Sequence, residues 1–99
     1  MEEEDVVGTY ELGNESGYFR IAILKNGQGH IDEDGDLEFS FWKIDGKEVY
    51  LGDEKFQSSI VFKLEPNGDL TEIAITSNGE RKYWPSHEEG KQLTYKKIK

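Results

Sequence analysis

Few residues in this 99-residue chain have the types and spacing that chemistry needs. His87 is followed by Glu88 and Glu89, the composition of an imidazole base with carboxylate neighbours. Such neighbours are also common in polar loops, and the loop reading is preferred. The other histidine, His30, is distant in the chain, and neither lies in a His-x-Glu or His-Glu-x-x-His spacing that would gather zinc. Asp32, Glu33, Asp34 and Asp36 crowd carboxylates into one turn, as a hard cation such as calcium requires. Counted from Asp32, however, glycine stands fourth rather than sixth, and the twelfth residue is Lys43 instead of a bidentate Glu. A solvated turn is the simpler reading, and no metal or cofactor is expected. There is no cysteine, hence no thiolate nucleophile, disulfide or thiolate metal site. No Gly-x-Ser-x-Gly elbow is present, and Gly27-Gln28-Gly29 is too short to cradle a phosphate. These residues point away from an enzyme.

What remains is a recognition set of aromatic and guanidinium side chains. Aromatics supply contact area and an arginine can hold an anion, so Arg20, Trp42, Tyr50, Arg81, Tyr83 and Trp84 are the candidate ligand-binding residues. Tyr10 and Phe41 have the same aromatic character. A small domain also needs large side chains in its core, and Trp42 with the phenylalanines fits that use equally well. Trp84 is the strongest binding candidate, because it precedes Pro85, where a strand must leave its ladder and an aromatic can sit at a barrel mouth.

The elements that would position these residues are legible from the turns. Asn26-Gly27, Asp34-Gly35, Asp45-Gly46, Asn67-Gly68 and Asn78-Gly79 each separate apolar segments. A tight hairpin needs positive φ at its centre, which Asn, Asp and Gly tolerate best. The spacing of roughly 8 to 12 residues, with one doubled gap, is the rhythm of a sandwich or barrel. Strands are expected over 6–12, 18–25, 29–32, 37–44, 48–51, 58–64, 70–76, 80–84 and 93–98. Loops are expected at 13–17, at 52–55 within the doubled gap, and at 86–90. Alternation puts Phe19, Ile21 and Ile23 on one face, then Ile60, Phe62 and Leu64, then Ile73 and Ile75. In 37–44, Leu37, Phe39 and Phe41 share one parity while Trp42 and Ile44 share the other, so either a bulge intervenes or both faces are apolar. No long stretch has a helical period. The fold class is therefore all-β: an antiparallel up-and-down meander of about eight short strands, closed as a small barrel or split into a two-layer sandwich.

Length allows one domain over 1–99, with the acidic residues 1–5 expected to be disordered. The formal net charge of −9 repels phosphate backbones, so nucleic acid is not an expected partner. The late basic residues Arg81, Lys82, Lys91, Lys96, Lys97 and Lys99 read as a solvated strand edge. No apolar run approaches the roughly 20 residues of a transmembrane helix. The start lacks the positive and then apolar pattern of a signal peptide, so a cytoplasmic protein and an exported domain freed of its signal both remain open.

Two segments carry a likeness to a known family. Val7-Gly8-Thr9-Tyr10 opens the first strand, and the run from Ile23 to Leu51 includes Ile-Leu-Lys-Asn-Gly-Gln-Gly and Phe39-Ser40-Phe41-Trp42-Lys43-Ile44-Asp45-Gly46. With the ending Leu93-Thr94-Tyr95-Lys96-Lys97-Ile98-Lys99, the chain resembles the bacterial lipocalin-like domains of uncharacterised proteins, although Tyr10 stands where lipocalins proper carry a Trp. The resemblance implies a calycin-type up-and-down barrel and a non-enzymatic module for a small apolar or amphipathic ligand. The alternative is a structural or protein-interaction module of a larger exported or surface protein.

Overall fold

The computed structural model describes residues 2–14 and 17–99, so Glu15 and Ser16 of the first expected loop lie outside the described residues. Nine strands follow in chain order: β1 (Gly8–Asn14), β2 (Gly17–Ile23), β3 (Gln28–Glu33), β4 (Asp36–Asp45), β5 (Glu48–Gly52), β6 (Ser59–Leu64), β7 (Leu70–Ser77), β8 (Glu80–Lys82) and β9 (Thr94–Lys97). Within the acidic start, Glu3–Val6 form one helical turn. The first six strands pair with their sequence neighbours, β6 pairs with β7, and β9 joins β7 to β1. The sheet therefore closes as an eight-stranded antiparallel barrel, with β8 an extra strand along the upper half of β7. One closed sheet, rather than two packed layers, accounts for the whole meander.

Turn chemistry explains the connections. Asp34 and Gly35, and Asn78 and Gly79, have positive φ at both residues, as the right-handed twist of flanking strands requires of two-residue hairpins, and Asn26 and Gly27 do so within a four-residue connection. At Asp45-Gly46 and Asn67-Gly68 only the glycine crosses to positive φ. The Asp34 turn is reinforced from outside: Asp32 accepts the Gly35 N–H at 2.8 Å and Asp34 accepts the Tyr18 N–H at 2.6 Å. These carboxylates organise backbone, and among the described residues no group of three or more His, Asp or Glu is arranged around a common ion position.

Inward side chains fill the lower and middle barrel. Tyr10, Ile21, Ile23, Leu51, Phe62 and Leu70 have no exposed surface. Tyr95 meets Phe62 edge-on at 5.4 Å between ring centroids, and Phe19 at 5.8 Å. The helical turn covers one end: Val6 is buried and its carbonyl accepts the Tyr10 hydroxyl at 2.6 Å, while Glu3 holds the Asn26 N–H at 3.0 Å.

Two departures from simple alternation have clear causes. β4 keeps its register with β3 and β5 without a bulge, so Trp42 and Ile44 face inward while Leu37, Phe39 and Phe41 face outward. The bulge lies in β7 instead: Val61 pairs with Ala74 and Phe62 with Glu72, leaving Ile73 without a partner. Val61 and Ala74 are nonetheless fully buried, outside the central core cluster, on the outer face that Tyr50 shares through its pairing with Val61.

Candidate functional site

In an up-and-down meander, alternate connections lie at opposite ends. The β3–β4, β5–β6 and β7–β8 connections lie away from the helical turn. There β5 stops pairing with β4 at Phe41↔Gly52, so residues 36–40 of β4 are hydrogen-bonded to β3 alone. The gap opens into a cleft of about 660 Å³. Its floor is made by the inward aliphatic side chains Ile31, Leu51, Ile60 and Ile75. Phe39, 84% exposed, and Trp84, 55% exposed, form its aromatic rim. Glu38 pairs with Ile31 in register and so shares its inward face, and Asp53 and several hydroxyls complete the lining. An apolar floor with a few polar groups at the edge suits an amphipathic small molecule.

Trp84 is held in place from beneath. Pro85–His87 form a single tight turn, and the Trp84 indole stacks on the His87 ring at 5.8 Å with an interplanar angle of 15°. His87 is buried. Its Nδ1 accepts the Trp84 backbone N–H at 2.9 Å, so in the neutral ring the proton belongs on Nε2, which lies 2.6 Å from Oε2 of Glu72. Both ring nitrogens are thereby engaged, and no base is presented to solvent. Burial, with the Glu72 carboxylate next in importance, pushes the Tyr95 hydroxyl well above the ordinary tyrosine range.

No family model, curated protein or solved structure matches the chain. The architecture itself, an eight-stranded antiparallel barrel, is consistent with a small calycin-like barrel.

The six residues singled out for ligand binding are distributed over three places. Trp42 is in the core, its indole N–H donating to the Leu24 carbonyl. Arg20 lies on the outside, its Nε 2.9 Å from Glu11 and its guanidinium 4.6 Å from the Tyr18 ring. The hydrogen bond that Arg20 donates to Glu11, ahead of the charge of that carboxylate, raises the Arg20 pKa further. Tyr50, Arg81 and Tyr83 do come together, but on the outer face of the β5–β8 region. There Arg81 grips Glu48 through both nitrogens, at 3.0 and 2.6 Å, and lies over the Tyr83 ring at 5.6 Å. The hydrogen bond from Arg81 holds Glu48 below the usual carboxylate range, and burial raises Tyr50. Both guanidiniums are thus already occupied by carboxylates. Trp84 alone of the six reaches the mouth.

Sequence reasoning missed Glu38, Ile60, Ile75 and Glu72 as parts of this region. The isoleucines were legible as core, but where the core ends depends on the stagger of the strands. Glu72 has no local signal at all: it follows Thr71 in an apolar strand, and its partner His87 is 15 residues away.

Proposed function

We propose that the protein is a non-enzymatic, lipocalin-like binding module that holds a small apolar or amphipathic ligand in the mouth cleft. The observation that carries this reading is the aliphatic floor of Ile31, Ile60 and Ile75, partly exposed above the buried Leu51, at the barrel end away from the helical turn. The core beneath is packed, so the ligand sits shallowly, with its polar end toward solvent. A thermal-shift screen of apolar and amphipathic compounds tests it. At a hundredfold excess over Kd, binding adds about 2.7 kcal/mol, a rise of several degrees in Tm for a domain of this size. Trp84→Ala, at an exposed position, should abolish most of the rise; a flat screen, or a rise indifferent to that substitution, would sink the reading.

A protein-interaction role is the second reading, favoured by the outward stripe of Leu37, Phe39 and Phe41 on β4 beside the unpaired backbone of residues 36–40. Sedimentation of wild type against Phe39→Ser distinguishes it: association lost in the variant supports it, and a monomer at high concentration in both counts against it.

A further inference from the structure

The polar part of the mouth cleft has one sign of charge. Of the residues lining it, only Glu38 and Asp53 are ionisable, and no lysine, arginine or histidine takes part. Among the described residues neither carboxylate is in an ion pair; Asp53 spends one oxygen on the Ser58 N–H at 2.8 Å, while Glu38 has no hydrogen-bonded partner. Glu38 lies on the inward face beside Ile31, and so borders the apolar floor directly. Trp84 on the rim adds the negative face of its ring. The guanidiniums that would offset this field are turned outward and neutralised by Glu11 and Glu48. A net charge of −9 deepens the potential over the whole surface.

From this we infer that the cleft selects amphiphiles with a cationic nitrogen head, a primary or quaternary ammonium on an apolar body, over neutral ones, and rejects those ending in a carboxylate. The inference rests on the cleft being a ligand site, as proposed above. The aliphatic floor takes the chain, Glu38 pairs with the head, and Trp84 contacts the cation through its ring face. A carboxylate in the same orientation would face Glu38 at close range with no cationic side chain in the lining to relieve it.

Three probes of equal chain length separate these contributions: octylammonium, octanol and octanoate, each titrated calorimetrically at low ionic strength and below its micellar concentration. The expected order is octylammonium about tenfold tighter than octanol, the combined effect of a rim ion pair and a cation–π contact, with octanoate weakest. The preference should shrink in salt. Glu38→Gln, at an exposed position, should bring octylammonium close to octanol. If octanol binds but octylammonium binds no better, if octanoate binds best, or if the preference survives Glu38→Gln, the charge selectivity is wrong and the cleft still stands as a ligand site. If none of the three binds, the cleft reading itself falls and takes the selectivity with it.

Discussion

Two tyrosines set the behaviour of the protein in alkali. Tyr10 is fully buried against the N-terminal turn, and burial, with Asp69 next in importance, pushes its hydroxyl up to about 12; Tyr95 is displaced in the same direction. A tyrosine whose folded pKa lies above its unfolded value of about 10 holds its proton more tightly in the native state. Its contribution to stability is complete below pH 10 and is lost as pH rises from 10 toward 12. Urea midpoints should therefore fall over that window, and phenolate absorbance should show a late group of tyrosines that titrates only as the barrel unfolds. A fall in stability already complete by pH 9 would contradict this assignment. The Glu72–His87 pair has a different cost. His87→Ala leaves a buried carboxylate without its donor and should destabilise by about 3 kcal/mol in urea unfolding. Glu72→Gln keeps an oxygen to accept the Nε2 proton and should cost about 1 kcal/mol. Equal losses in the two variants would mean that the pair is not a ring donor on a charged acceptor.

At the scale of elements, the mouth depends on how closely β5 and β6 approach where their ladder ends. A Cβ on Gly52 would overlap the Ser58 carbonyl and approach the Cα of Ser59 to 2.6 Å, and these are backbone atoms that cannot swing aside. Gly52→Ala should cost about 1–3 kcal/mol, the range for overpacking, and should also widen the cleft and weaken ligand binding. Gly35, with nothing near its Cβ position, is the control for proximity, since an alanine there meets only its own positive φ of 98°. Gly52→Ala as stable as wild type would show that the strand ends part freely. The bulge in β7 belongs to the same scale. By inserting Ile73 it lets Glu72 face inward opposite Phe62 while Ala74, two residues on, faces outward opposite Val61.

For the whole molecule, closure is the decisive event. β1 at one end of the chain and β7 late in it are joined by β9, through Tyr10↔Lys97, Glu11↔Lys96, Leu70↔Tyr95 and Thr71↔Thr94. Lys99 and Ile98 add backbone bonds to Thr9. The basic ending is therefore an interior strand of a ring, paired on both sides, rather than a solvated edge. Deleting residues 93–99 would remove Tyr95 from the core and expose the edges of β1 and β7. The truncated chain should lose cooperative thermal unfolding and elute as aggregate in size-exclusion chromatography; a monomer with wild-type circular dichroism would show that the remaining strands close without β9.

Much of this was determined by local sequence. Positive-φ turn pairs and two-residue alternation are properties of neighbouring residues, and they placed nine strands and the inward set of Phe19, Ile21, Ile23, Ile60, Phe62 and Leu64. What the chain could not state locally was decided by closure and stagger, which depend on pairings across the whole ring. Closure chose barrel over sandwich, left both faces of β4 apolar with only one covered, and sent Trp42 inward while Arg20, Tyr50, Arg81 and Tyr83 stayed outside. Stagger set where the core stops, and so turned Ile60 and Ile75 from buried residues into a cleft floor with Glu38 beside it. His87 shows the same division: its neighbours in sequence are Glu88 and Glu89, but the carboxylate that meets its ring is Glu72, brought there because the turn after Trp84 tucks the histidine against β7.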